Sequence, residues 1–474
     1  MRSPARAVAQ TDGLPLPRRY AAILALCCGT ALVIIDGGVA NVALPTIARD
    51  LGVGSSAVVS IVTVYQLMLV MLMLPFAALG ERIGLKRTYQ LGQAIFTVAT
   101  LLCFFAKSLP FLLVVRAGQA IGAAATLGVG SALIRQTYPA KQLGRGLGVN
   151  SVIVASSAAA APTVGGLILG VAPWPWVFAS AVPFAIASLL FGRALPDPAP
   201  RDRHFDVVGA VQCAAMFGLV IGGAESAVHG DSPVVSAAIV LIGALVGVYY
   251  VRRERGTANP ILPVDLLGQP VIALSVIGAY TAFIASMTLL LSTPFRLTHD
   301  YGFSPAQVGA AIAPWPLTNM IVAPLAGWLS DRIPAGLLGG IGMIVSVVAL
   351  TLLALLPADA AYVDIAWRMA LCGSGFGIFL PPNARLIIGS APQVRAAAAG
   401  GLVSTVRLLG QTTGATLVAL LLAIGVGAGR VPALVAAGLA VVAGLCSIAR
   451  LRPSLRNPDR AESEAAQITM RTAR

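Results

Sequence analysis

The feature that most restricts this chain is a succession of long apolar runs separated by short loops. They lie near residues 20–44, 57–80, 88–106, 109–134, 146–171, 174–192, 206–228, 232–251, 270–294, 304–330, 335–356, 363–388, 397–424 and 431–449. A bilayer hydrocarbon core about 30 Å thick takes about 20 helical residues to cross, and the runs meet that length. They are continuous rather than alternating, which excludes a transmembrane β-barrel. Charged residues make up 11% of the chain, against about 25% in soluble domains, so a water-soluble enzyme is excluded as well. The pattern describes an all-α polytopic membrane protein with fourteen transmembrane helices.

A net charge of +14 would point to nucleic acid in a soluble protein, but the placement of the charges says otherwise. Every second loop, together with both terminal segments, holds 25 Lys and Arg in all, whereas the intervening loops hold five. Positive charge accumulates on the cytoplasmic side of membrane proteins. Both termini are therefore expected in the cytoplasm, in a multi-pass protein of a bacterial plasma (inner) membrane, with lipid and not nucleic acid as its surroundings. The six cysteines sit inside apolar runs without metal-ligand spacing and read as small buried hydrophobes. No histidine falls within a span, so no metal site is expected.

Leu51-Gly52 through Leu79-Gly80-Glu81-Arg82-Ile83 recurs 250 residues later as Tyr301-Gly302 through Leu329-Ser330-Asp331-Arg332-Ile333. One offset holds across a loop, a whole span and the following turn, and it leaves the spans near 206–228 and 232–251 unpaired. Parallel repeats about an axis along the membrane normal are a transporter arrangement, with the substrate site between halves near the midplane. The expected organisation is a basic N-terminus (1–19), a six-helix bundle (20–204), two extra helices (205–255), a second six-helix bundle (256–450) and a disordered tail (451–474).

Few charges break the pattern. Asp36 is the one acid deep in a span, where an ionised carboxylate costs roughly 2.5–3.5 kcal/mol on insertion scales. Counting about 1.5 Å per residue puts Asp36 about 12 Å, and Arg116 of the fourth span about 10 Å, from the outer ends of their helices. The two are level, which allows an ion pair or a shared proton path. Asp36 is either a proton carrier or a carboxylate that only neutralises Arg116. Arg407 lies near mid-depth in the thirteenth span, as a partner for backbone carbonyls or Asp36, or as a substrate contact. Arg385 lies near a span end and is expected to snorkel to the interface. Asn41, Tyr65, Gln66, Gln119 and Trp315 are candidate cavity-lining residues. Pro162 removes a helical hydrogen bond, and with Gly165 and Gly166 it thins the fifth span for bending or close packing.

Five motifs, in order, carry a resemblance: Asp36-Gly37-Gly38-Val39-Ala40-Asn41-Val42-Ala43-Leu44-Pro45, Ala77-x-Leu79-Gly80-Glu81-Arg82-x-Gly84-x-Lys86-Arg87, Arg116-Ala117-Gly118-Gln119-Ala120-Ile121-Gly122, Ala161-Pro162-Thr163-Val164-Gly165-Gly166, and Trp174-Pro175-Trp176-Val177-Phe178 with the later Phe205-Asp206-Val207-Val208-Gly209. Together they resemble the fourteen-span drug:proton antiporter branch of the major facilitator superfamily. The resemblance implies proton coupling through Asp36 and Arg116, and an antiporter seal at Ala161, Pro162, Gly165 and Gly166. It also implies a cytoplasmic latch at Leu79, Gly80, Glu81, Arg82, Gly84, Lys86 and Arg87, repeated at Gly327, Asp331 and Arg332. Glu81 stands where the branch usually has Asp, Ala161 where it has Gly, and Pro334 where the second copy has Gly.

The expectation is a monomeric, proton-driven exporter of small amphipathic compounds, with no cofactor besides the proton motive force. No GxxxxGK[ST] segment occurs, which removes ATP-driven transport by this chain alone. A dedicated exporter of one endogenous metabolite remains open on the same fold. An intramembrane enzyme lacks a His-containing acidic cluster, and a channel lacks a filter-like loop.

Overall fold

The computed structural model describes residues 13–139, 142–197, 206–228, 232–254, 264–330, 332–357, 360–391 and 396–451. Fourteen helices among them are long and apolar enough to cross a membrane. We number them α1 (Leu16–Leu51), α2 (Ser55–Ile83), α3 (Leu85–Leu102), α4 (Leu109–Thr137), α5 (Leu143–Val171), α6 (Pro175–Ala194), α7 (Val207–Val228) and α8 (Pro233–Glu254). The second half continues with α9 (Pro270–Tyr301), α10 (Pro305–Leu329), α11 (Ala335–Ala354), α12 (Tyr362–Ser390), α13 (Ala396–Ala423) and α14 (Val431–Ala449). The expected spans are all present. The expected disordered tail, apart from Leu451, the first twelve residues, and the joins at 204/205 and 255/256 lie outside the described residues.

Two helices run further than expected. α1 and α9 continue past Pro45 and Pro294, about two turns beyond the ends of the apolar runs at 44 and 294. Both stop instead at a glycine in the left-handed region, Gly52 (φ 63°) and Gly302 (φ 64°), a conformation that only glycine adopts cheaply. These two caps stand 250 residues apart, so the repeat seen in sequence is also a repeat of backbone geometry.

Large apolar side chains line the outward faces of the helices as well as the core. Leu91, Ile95 and Val98 of α3 and Leu241, Leu245 and Tyr249 of α8 are exposed at helical spacing. Where helices cross, glycine admits close backbone approach. A Cβ on Gly92 would meet the Gly122 carbonyl at 2.7 Å, and one on its repeat mate Gly342 would meet the Gly375 carbonyl at 2.7 Å. α3–α4 and α11–α12 therefore cross in the same way.

The halves pack alike: α1 on α5, α2 on α4 and α3 on α4 correspond to α9 on α13, α10 on α12 and α11 on α12. Between the halves, α5 meets α10, α2 meets α13, and α1 meets α9. The extra pair packs together, with α7 against both α2 and α13. Fourteen spans bring both chain ends to one face of the bundle, here termed the terminal face. At the opposite face one apolar cluster crosses between halves, joining Leu44, Val58 and Ile61 to Met287, Leu291, Ala415 and Ala419. The Ser56 hydroxyl also donates to the Ala419 carbonyl there, at 2.9 Å. At the terminal face the clusters stay within one half each, around Leu26, Tyr89 and Leu133 or around Ile272, Ile387 and Leu402. The halves share a broad cluster at the opposite face, and toward the terminal face a smaller link through Leu408, which clusters with Leu69, Met73 and Tyr250.

Candidate functional site

The interior of the N-terminal half holds a polar network built on α1, α3 and α4. Arg116 Nη1 donates to Asp36 Oδ2 at 2.7 Å and to Gln119 Oε1 at 2.8 Å. Gln119 follows Arg116 by three residues and so shares its helix face. Its Nε2 donates to the Thr100 hydroxyl at 2.9 Å and approaches Asp36 Oδ1 at 3.5 Å. Arg116 Nε reaches the Ile61 carbonyl of α2 at 3.4 Å. The guanidinium lies 4.2 Å from the Tyr65 ring centroid and 5.1 Å from that of Phe178, which shields it from water and adds cation–π attraction. The side chains of Arg116 and Asp36 are 1% and 0% exposed. Gly38, two residues past Asp36, lets α1 close on Ala161 of α5.

The Ala161–Gly166 segment is where α5 meets both α1 and α10. A Cβ on Gly165 would press on the backbone of Val39 at 3.3–3.4 Å. A Cβ on Gly166 would strike the Pro305 carbonyl at 2.7 Å, and one on Gly309 would strike the Pro162 carbonyl. The small residues thus bring helices of the two halves into backbone contact near the opposite face, and Ala161 itself is fully buried.

The sequence matches the Major Facilitator Superfamily over residues 26–415 and again over 277–471. The chain belongs to that superfamily. It is a multi-pass transporter and not an enzyme. It is 43% identical over 446 residues to the uncharacterized transporter YebQ of Escherichia coli K12, an alignment covering 93% of this chain and 98% of that protein. It is 30% identical to the methyl viologen resistance protein SmvA of Salmonella typhimurium, covering 82% of this chain and 80% of the relative. The solved structure of the peptide transporter POT superposes with a TM-score of 0.70 at 14% identity, covering 94% of this chain and 97% of the other, which establishes a shared fold.

The remaining expected site residues of this facilitator fall in two places. At the terminal face, Gly84 turns the chain between α2 and α3 with φ 108°, a backbone region that favours glycine. Gly80 is buried against Val129 of α4. Lys86 donates to the Arg193 carbonyl at 2.8 Å, and Arg18 donates to the carbonyls of Ala194 and Leu195. Cations thereby satisfy the last carbonyls of α6, as favoured at a helix C-terminus. Leu79 and Glu81 are half-buried, and Arg82 and Arg87 are exposed. In the second copy, Arg332 lies 4.0 Å over the Trp328 ring, and a Cβ on Gly327 would meet open space. Asp331 lies outside the described residues. Arg385 does not merely snorkel: its Nη1 donates to the Ser330 hydroxyl at 3.0 Å and ties α12 to the end of α10.

The cavity candidates are distributed over both halves. Gln119 belongs to the Asp36 network, and Tyr65 forms one wall of it with a buried, unpartnered hydroxyl. Asn41 Oδ1 and Gln66 Oε1 are likewise buried without a partner. Trp315 packs against Phe376 at 6.0 Å between ring centroids. Arg407 stands apart from all of these on α13.

One buried cluster escaped the sequence reading. Arg450, counted there as a tail charge, is 3% exposed. Its Nη1 donates to Ser275 Oγ at 2.6 Å and to Asn383 Oδ1 at 2.5 Å, and its Nη2 donates to Ser447 Oγ at 2.7 Å. It joins α9, α12 and α14. The one local signal was Ser447, three residues before it.

Proposed function

We propose that this chain is a proton-coupled exporter of small amphipathic compounds, working by alternating access across the inner membrane of a bacterial cell. The observation that carries this reading is the buried Asp36–Arg116 pair, whose carboxylate is enclosed by α1, α3 and α4. A carboxylate that trades a proton for a guanidinium partner is a two-state device. Ionised, it holds Arg116. Protonated, it releases Arg116 and changes how α1 sits on α4. The apolar cluster between halves at the opposite face supports a state entered from the terminal face, which the charge asymmetry assigns to the cytoplasm. The resistance protein among the relatives supports a toxic compound as cargo. The working unit is a monomer, driven by the proton motive force without a bound cofactor.

The test uses everted vesicles containing the full chain, loaded by respiration, and Asp36→Asn as the variant. The expected result is loss of proton-driven accumulation at normal protein levels, while substrate exchange without a gradient persists. Undiminished accumulation by Asp36→Asn would overturn the assignment.

A further inference from the structure

Charge inside a membrane protein is normally balanced by a neighbour, because an uncompensated ion in a dry interior costs several kcal/mol. Among the described residues, the charged side chains seven or more residues from either end of a span are Asp36, Arg116 and Arg407, while Arg368, one residue shallower than Arg116, is paired with Asp364 at 3.1 Å. The first two neutralise each other at 2.7 Å. Arg407 makes no hydrogen bond or ion pair to any described residue.

Its direction follows from its neighbours on α13. Gly410 and Gly414 pack against Tyr280, Phe283, Ile284 and Met287 of α9. Leu408 shares a cluster with Tyr65 and Leu69 of α2, and Ala415 shares one with Val58 and Val59. Leu420, 41% exposed, marks the outward side. At about 100° per residue, Arg407 points between the α9 and α2 contacts and about 220° away from Leu420. That direction is the interior between the halves. Val406 and Leu408 on either side are 4% and 3% exposed, whereas Arg407 keeps part of its surface open. It lies about 16 Å along the helix from Ala396, well short of either end.

The interior balance therefore does not close. With Asp36 ionised one positive charge remains, and with Asp36 protonated there are two. Neither state offers a free carboxylate to a cationic cargo. We propose that the transported compound carries an anionic group (carboxylate, sulfonate or phosphate) and that Arg407 is the residue that binds it. The inference rests on the export reading above and names the charge class of its cargo.

The test compares two dyes on one ring system, anionic fluorescein and cationic tetramethylrhodamine methyl ester. Proteoliposomes of phosphatidylcholine containing the full chain take up dye under an imposed pH gradient, quantified after detergent release at fixed pH. The expected result is preference for fluorescein. Arg407→Gln should cut fluorescein uptake by about tenfold or more, as expected for a charge-assisted hydrogen bond, and Arg407→Lys should restore part of it. Uptake of the cationic dye should not fall. An equal loss of both dyes in Arg407→Gln would make the residue structural and overturn the proposal. Gradient-driven uptake of the cationic dye alone, unchanged in Arg407→Gln, would overturn it while leaving export standing. No gradient-driven uptake of either dye would overturn the export reading and this one with it. Loss of the fluorescein preference on adding phosphatidylglycerol would place a lipid headgroup at Arg407 in place of cargo.

Discussion

The carboxylate of Asp36 and the guanidinium of Arg116 meet at 2.7 Å inside the N-terminal half, 80 residues apart in sequence and closed off from solvent. Two aromatic rings, an amide and a backbone carbonyl complete the enclosure of the guanidinium. Such a pair adds little net stability, because desolvating both ions offsets their attraction. Removing one partner is another matter.

Arg116→Leu should therefore be the most damaging single change in this half. It leaves Asp36 with only the 3.5 Å contact to Gln119 and is expected to cost about 3–5 kcal/mol. The double variant Asp36→Asn/Arg116→Leu should regain most of that loss. Unfolding in detergent, followed by tryptophan fluorescence, measures both. A double variant no more stable than Arg116→Leu would show that the pair is not coupled.

How much of this was legible in the sequence depends on the range of the interaction. The fourteen spans follow from local composition, since an apolar helix needs no partner to be recognised. The level placement of Asp36 and Arg116 followed from counting helical rises, and the 250-residue repeat reappears in the caps at Gly52 and Gly302. The extra turns of α1 and α9 lie past the ends of the apolar runs, so composition did not reach them, and Pro45 and Pro294 are carried inside the helices where neighbouring helices hold the backbone. Arg450 was missed because its partners Ser275 and Asn383 lie 175 and 67 residues away, and no local rule separates it from the arginines that follow.

Arg450 carries its own prediction. Two donated hydrogen bonds fix the end of α14 to α9 and α12 and a third holds the guanidinium on Ser447, so Arg450→Gln should destabilise the protein by about 1–3 kcal/mol, leaving buried acceptors unmet. Arg49→Gln is the comparison: its side chain is 77% exposed beside Asp50, and its removal should be near neutral. Equal thermal stability of the two variants would reduce Arg450 to an ordinary surface charge.

The entry to α7 should respond to pH. Arg253 Nη2 donates to Asp206 Oδ1 at 2.9 Å, and this bond, with help from the Gly209 amide, holds the Asp206 carboxyl below its ordinary value. A lowered carboxyl stabilises the folded state above its unfolded pKa of about 3.9, and the contribution disappears as pH falls through the folded value. The side chains are 37% and 34% exposed, so solvent screening keeps the pair's contribution small. Asp206→Asn should lower the unfolding temperature slightly at pH 7, and the difference should shrink as pH falls below about 3.9. A difference that grows on acidification would contradict the sign.

The strongest test of the contact between halves is at Gly309. A Cβ there would run into the Pro162 carbonyl and come within 3.2 Å of Gly166 Cα, so α5 and α10 have no side chain to move aside. Overpacking of this kind costs about 1–3 kcal/mol. The penalty falls on the arrangement that joins the halves at the opposite face, and it should multiply the open population about 5- to 150-fold. Ser56, whose hydroxyl donates to the Ala419 carbonyl across the same junction, is the reporter. With the six native cysteines replaced, Ser56→Cys should react faster with a membrane-impermeant maleimide when Gly309→Ala is added. Gly327→Ala, whose Cβ would meet open space on the same helix, should leave the rate unchanged. Equal labelling in all three backgrounds would mean that α5 and α10 do not part at this junction, and that the close glycine contact serves only to pack the bundle.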